Sequence, residues 1–253
     1  MLKIRLIPTL LLKESRVVKG SNYQNWRDVG NPVTSAKIYD AQGADELFFL
    51  DITATSQNRQ IIFDLVSRVA DECFMPLTIG GGVRTIEDIR KLLSCGADKV
   101  AVNTAALRNP GFIAEAAGFF GSQCIVVCMD VKKNGNGNYE VFACGGKEPV
   151  KKNPVEWARQ AQEKGAGEIL VSSIDRDGTM QGYDTELIRS VSDSVTIPVI
   201  AAGGAGKLEH FVEAVNKGGA SAVAAGSLFN FTDQNLIKTR AYMKTAGLNV
   251  RSV

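Results

Sequence analysis

Eight short apolar runs punctuate the chain, at about residues 4–11, 46–51, 76–80, 99–103, 124–130, 168–173, 198–202 and 221–226. They are rich in Ile, Val, Leu and Phe and lack clean polar–apolar alternation, as expected of parallel strands covered on both faces. Most of the intervening segments read as amphipathic helices. Thr85-Ile-Glu-Asp88 is a capping-box-like start with aspartate in place of the usual glutamate, and Pro32 and Pro154 stand near two other helix starts. Strand–helix alternation repeated eight times predicts one α/β domain over 1–253, a (β/α)8 TIM barrel rather than an open sheet. Two connections are too long for turns. Residues 13–31 carry Lys13, Arg16, Lys19 and Arg27, and residues 131–153 carry Asn134-Gly-Asn-Gly137 before Tyr139, which predicts an inserted hairpin. Both follow odd-numbered strands and so belong to the face where barrel strands end and barrel enzymes place their chemistry.

The chain also repeats itself at half length. Pro76-Leu-Thr-Ile-Gly80-Gly81-Gly82 leads to Gly96-Ala-Asp98-Lys99-Val-Ala-Val-Asn103-Thr104, and Pro198-Val-Ile-Ala-Ala-Gly203-Gly204 leads to Gly219-Ala-Ser-Ala-Val-Ala-Ala-Gly226-Ser227. Such self-similarity implies a half-barrel duplication. Two glycine-rich strand ends imply two anion sites, and hence a small-molecule substrate with phosphate at both ends.

Composition narrows the field. With 253 residues, 45% hydrophobic and 22% charged, the chain can bury one substantial core. A net charge of +2 gives no reason to expect nucleic acid. The N-terminal apolar run is soon interrupted by Lys13 and Glu14, so it reads as a first strand rather than a signal peptide, and no apolar run is long enough to predict a membrane span. Cys73, Cys95, Cys124, Cys128 and Cys144 show no zinc spacing and read as reduced structural thiols in a cytoplasmic protein. Neither a metal nor a cofactor is expected. The single histidine, His210, reads as a solvated helix residue, leaving acid–base work to carboxylates, lysines or substrate groups.

Those carboxylates stand at strand ends. Asp51 closes the second run, Asp130 the fifth, and Asp175 and Asp177 follow the sixth. Asp130 comes after a mostly apolar stretch whose burial would raise its pKa, which makes it the leading catalytic candidate. Arg5, Glu46, Lys99 and Glu168 stand near the opposite strand ends and read, from the residues alone, as a structural salt-bridge network.

Several motifs together resemble one family. They are Arg16-Val-Val-Lys-Gly-Ser-Asn22 with Arg27-Asp-Val-Gly-Asn-Pro32, Phe49-Leu-Asp-Ile-Thr53, Gly80-Gly-Gly82, Asp98-Lys-Val-Ala-Val-Asn-Thr104, Ser173-Ile-Asp-Arg-Asp-Gly-Thr179-Met-Gln-Gly-Tyr-Asp184 and Gly203-Gly-Ala-Gly206. From Arg5 to about Val250 the chain is similar to the cyclase subunit of imidazole glycerol phosphate synthase. That resemblance implies a (β/α)8 barrel paired as a heterodimer with a glutaminase subunit. Ammonia would cross the barrel and attack a doubly phosphorylated ribulosyl substrate, PRFAR, yielding imidazole glycerol phosphate and AICAR in histidine biosynthesis. It further implies that Gly82, Asn103 and Thr104 hold one phosphate and that Asp177, Gly178, Gly204, Gly226 and Ser227 surround the other. Lys19 and Asp51 would contribute to substrate binding. Arg5, Glu46, Lys99 and Glu168 would form an ammonia gate, with Asp98 beside the docked glutaminase.

The chain departs from that family at one decisive position. The family's two acid–base aspartates end strands one and five; the second corresponds to Asp130, but Leu11 stands where the first belongs. The internal repeat locates the same gap, because Lys13 matches Lys132 and therefore Leu11 matches Asp130. Ala202, where the family often has serine, is a milder change. The Leu-Leu-Leu-Lys first strand is similar to a diverged branch linked to glutaminase partners and acetamidino modification of surface-polysaccharide sugars. That branch implies an ammonia conduit to a separate amidotransferase, without cyclisation. A third reading, the related single-chain sugar isomerase, leaves the four gate residues unexplained.

Overall fold

The computed structural model describes residues 2–54 and 62–252. Its strands are β1 (Arg5–Lys13), β2 (Arg16–Ser21), β3 (Gln24–Gly30), β4 (Leu47–Asp51), β5 (Leu77–Gly80), β6 (Lys99–Val102), β7 (Ile125–Lys133), β8 (Tyr139–Ala143), β9 (Glu148–Pro149), β10 (Glu168–Ser173), β11 (Val199–Ala202) and β12 (Ala222–Ala225). Eight of them, β1, β4, β5, β6, β7, β10, β11 and β12, pair in that order in parallel, and β12 returns to β1. The sheet is therefore a closed (β/α)8 barrel, as the alternation of runs and helices predicts. Among the described residues, no helix is long and apolar enough to cross a membrane.

The absence of visible alternation has a simple cause: both faces of each strand are packed. Leu6, Leu10, Leu47, Phe49, Val100 and Val127 join an outer core beneath the helices. Ile7, Phe48, Ala101, Val126, Cys128, Leu170, Ile200, Ala202, Ala222 and Ala224 fill the barrel itself. The underlying period of two nevertheless sorts the chemistry along the axis. Inward positions run Arg5-Ile7-Thr9-Leu11 in β1, Val126-Cys128-Asp130 in β7 and Glu168-Leu170-Ser172 in β10, while Lys99 and Ala101 of β6 continue into Asn103. Charge lies at the strand starts, an apolar plug in the middle, and polar groups at the strand ends.

Local signals place the helices. Thr85 and Asp88 form the reciprocal capping box, with Asp88 N–H donating to Thr85 Oγ1 at 3.1 Å and Thr85 N–H to Asp88 Oδ2 at 2.9 Å. Asn31 and Asn153 cap the helices that begin at Pro32 and Pro154. His210 is not merely solvated. Its Nδ1 accepts from the backbone N–H groups of Gly206 and Lys207 at 3.1 and 3.2 Å, capping the start of the helix Leu208–Asn216. Cys124 lies in the 3-10 turn Ser122–Cys124 rather than in the strand, and the five cysteines are unpaired.

The first long connection also differs from expectation. Residues 13–31 form an antiparallel hairpin, β2 on β1 and β3 on β2, rather than an irregular loop. Its turns use Glu14-Ser15 and Asn22-Tyr23, all at positive φ, without the glycine that normally advertises such turns. The predicted insertion after β7 is a hairpin too, with β8 antiparallel to β7 and β9 to β8. Each half of the barrel thus opens with a strand that runs past the rim and folds back on itself.

Candidate active site

The strand ends enclose a cavity of about 930 Å³. Asp130 and all ten residues assigned to substrate binding line it: Lys19, Asp51, Gly82, Asn103, Thr104, Asp177, Gly178, Gly204, Gly226 and Ser227. Duplication is visible in the backbone here. Asn103 and Gly226 precede the short helices Thr104–Arg108 and Ser227–Phe231 with φ/ψ of −131/−85° and −133/−60°, and no side chain caps either helix. Gly81 and Gly204, in the paired strand-end turns, have φ of +98° and +111°, and a Cβ on either would collide with backbone, of Asp51 and Gly182 respectively. Glycine is required there to form the turn at all, and its consequence is a wall built from main chain.

Asp130 is part-buried among hydrogen-bond donors. Its Oδ1 accepts from the Tyr23 hydroxyl at 2.7 Å and its Oδ2 from Asn103 Nδ2 at 2.8 Å. Burial raises its pKa to about 6; the Tyr23 and Asn103 hydrogen bonds oppose that rise, while the charge of Asp177 adds to it. Burial likewise raises Asp177 to about 6, held back by Lys19. Two carboxyls in one chamber therefore titrate close to neutrality. Lys19 is not the solvated loop cation its setting suggests. Only 3% exposed within β2, it donates through Nζ to Thr9 O at 2.6 Å, and burial lowers its pKa to about 8 against the pull of Asp177.

Other candidates divide by role. Asp51 Oδ1 accepts from Thr53 N, Thr53 Oγ1 and Ala54 N at 3.0–3.1 Å, so one oxygen of this carboxylate holds the turn after β4. Thr104 Oγ1 accepts from Cys144 N at 2.9 Å, tying the turn after β6 to the β8–β9 insertion. Asp175 faces away, with Oδ2 accepting from Lys133 N at 2.9 Å. Arg16 is spent on Asp28 at the surface, at 2.7 Å. Leu11 lines the chamber from β1, as Asp130 does from β7, so an apolar side chain occupies the position symmetric to the carboxylate.

Tyr23, Ser172 and Trp26 also belong to the chamber, and sequence reasoning misses them. Ser172 had the inward period of β10 as a signal. Tyr23 had none, because it reaches the site only through a hairpin turn that lacks glycine.

At the other end of the barrel, the four charged residues close a ring. Arg5 contacts Glu46 at 2.5 Å and Glu168 at 2.8 Å; Lys99 contacts Glu46 at 3.0 Å and Glu168 at 2.8 Å. Glu46 is fully buried, and its Oε1 also accepts from the Thr78 hydroxyl at 2.5 Å. Burial alone would lower the pKa of Arg5, but the hydrogen bonds and charges of Glu168 and Glu46 outweigh it and raise the pKa. Asp98 stands beside the ring, exposed, with Oδ2 accepting from Leu77 N at 2.8 Å.

A closed (β/α)8 barrel with a chamber at its strand ends, walled by paired glycine turns and titratable carboxyls, is the architecture of a barrel enzyme. The sequence profile of the histidine biosynthesis protein family matches residues 5–234. The chain belongs to that family, whose members are barrel enzymes of histidine biosynthesis.

Proposed function

We propose that this chain is the ammonia-receiving barrel of a glutamine-dependent pair, and that it passes ammonia onward without completing a cyclase reaction of its own. The observation that carries this reading is Leu11 in the chamber wall opposite Asp130. Leucine neither gives nor takes a proton, and loss of one of two acid–base groups lowers a rate by about 10²–10⁴-fold. The other parts of an ammonia route are retained. A glutaminase would dock at the strand-start face, near Asp98, and release ammonia against the ring of Arg5, Glu46, Lys99 and Glu168. Beyond the ring, the Ile7–Phe48–Ala101–Val126–Ala222 layer is apolar. Such a layer rejects ammonium, which would lose its hydration, and admits neutral ammonia far more readily. The chamber beyond binds a doubly phosphorylated ligand at the two glycine turns. The downstream acceptor in this reading is a separate amidotransferase that forms acetamidino groups on sugars of surface polysaccharides.

A second reading keeps the chemistry in this chain: a cyclase converting PRFAR to imidazole glycerol phosphate and AICAR with Asp130 as its acid–base residue. The near-neutral titration of Asp130 and the two paired turns favour it. The test is reconstitution. The chain mixed with a glutaminase from the same genome should form a heterodimer that stimulates glutamine hydrolysis, and adding an amidotransferase that acts on such sugars should make sugar amidation glutamine-dependent. If no such glutaminase binds or is stimulated, the ring is a structural network only. If the heterodimer makes imidazole glycerol phosphate efficiently, the second reading replaces the first.

A further inference from the structure

The β2–β3 hairpin sits in the chamber rather than beside it. Asn22 N–H donates to Asp177 O at 2.8 Å, and Asn22 Nδ2 donates to Ile174 O at 3.1 Å and Asp175 O at 2.9 Å. Ser21 Oγ reaches Gly178 O at 3.3 Å. These contacts fasten the hairpin tip to the segment after β10 and drive the next residue, Tyr23, inward. Tyr23 adopts φ +61°, a conformation that is costly for a bulky side chain and persists where surrounding contacts hold it. Here the contacts lie at the far end of the ring. The hydroxyl is 2.7 Å from Asp130 Oδ1 and 2.9 Å from Ser172 Oγ. A phenol has one proton to give; it goes to the carboxylate, and the serine hydroxyl donates back to the phenol oxygen.

Both oxygens of Asp130 are therefore engaged by this chain's own donors, Tyr23 on one and Asn103 on the other. Asn103 Oδ1 is buried with no hydrogen-bond partner, so the chamber still has an acceptor to satisfy. A ligand hydroxyl or amine that sought Asp130 Oδ1 would meet the Tyr23 hydroxyl already in place. We propose that the seated hairpin is an autoinhibitory plug: Tyr23 imitates a ligand hydroxyl at Asp130 and Ser172, and a phosphorylated, hydroxyl-bearing ligand must displace it to occupy the chamber. The ligand half of this inference rests on the phosphorylated-ligand reading above, whereas the hairpin half does not.

The experiment compares the full chain with Tyr23→Phe, which keeps the ring and removes the hydroxyl. Limited trypsin digestion, read by mass spectrometry at Lys13, Arg16, Lys19 and Arg27, reports hairpin release. Titration with ribulose 5-phosphate reports access to the chamber. Loss of one hydrogen bond should speed hairpin cleavage about two- to ten-fold and tighten ribulose 5-phosphate binding by a similar factor. Acrylamide quenching should rise at Trp26, in the hairpin, and not at Trp157, which is 1% exposed. Unchanged cleavage and quenching would overturn the plug. Faster cleavage with equal or weaker binding would make Tyr23 a contributor to the ligand site and also overturn it. Binding to neither protein, with cleavage still faster, would remove the phosphorylated-ligand reading and leave the hairpin as a lid alone.

Discussion

At the strand starts, two cations and two carboxylates satisfy one another in a closed ring, and each of the four has a partner of opposite charge on both sides. At the strand ends, the part-buried carboxyls of Asp130 and Asp177 stand beside the Tyr23 phenol and the Lys19 ammonium, and leucine stands at the position symmetric to Asp130. Both ends belong to one barrel and are built from the same alternating strand positions. The difference shows which property each end protects. The ring is balanced, two cations against two carboxylates in mutual contact, as a fixed structural closure or passage should be. The chamber is unbalanced and titrates near neutrality, which suits binding or proton transfer but lacks the symmetric pair. In the proposed reading, the barrel is complete where it would receive ammonia and incomplete where it would use it.

The largest expected effect comes from restoring the missing group. Leu11→Asp should raise ammonia-dependent turnover of PRFAR by about 10²-fold or more, measured as product formation with saturating ammonium. An unchanged rate would mean position 11 is not what separates the two ends. Breaking the balanced end comes next. Glu46→Ala leaves Arg5 and Lys99 with one carboxylate between them and strips the Thr78 hydroxyl of its acceptor, so urea unfolding should show a loss of about 2–4 kcal/mol.

Removing charge from the unbalanced end should have the opposite sign. Asp130 titrates at about 6 in the folded chain, above its ordinary 3.8, so the folded state holds the proton more tightly than the unfolded state. Its ionisation therefore costs stability as pH rises from about 4 to about 6, and the cost persists above that window. Asp130→Asn should stabilise the protein by about 1–2 kcal/mol at pH 8, less than the full linkage because one donor loses its acceptor, and by almost nothing at pH 4. Thermal melts at the two pH values check this. The smallest effect is His210→Ala. It should cost about 1 kcal/mol through loss of a helix cap. Burial lowers the pKa of His210, so the cap is present at neutral pH and fades in acid as Nδ1 takes a proton.

The barrel was legible in the sequence because eight apolar runs recur along it and several of the helices between them carry a local start signal, such as Thr85 with Asp88, Pro32 or Pro154. The ring was legible as four charges at strand starts, although its closed pattern of contacts needed coordinates. The glycine turns and Asp130 were legible through the internal repeat. Lys19 and Tyr23 were less so. Their burial depends on two turns, Glu14-Ser15 and Asn22-Tyr23, in which non-glycine residues take positive φ under constraint from tertiary contacts. Local propensity argues against such turns, so sequence pattern alone does not reveal the hairpin that carries both side chains into the chamber. The cap made by His210 is hidden for a related reason: helix periodicity does not reveal a ring nitrogen turned back onto Gly206 and Lys207.

One rate decides whether the acid–base end of this barrel is incomplete, as proposed. Purified chain, PRFAR and saturating ammonium salt at pH 8 should yield imidazole glycerol phosphate at least about 10²-fold more slowly than the Leu11→Asp variant does. Efficient formation of that product, abolished by Asp130→Asn, would show that one carboxylate suffices and would contradict the claim.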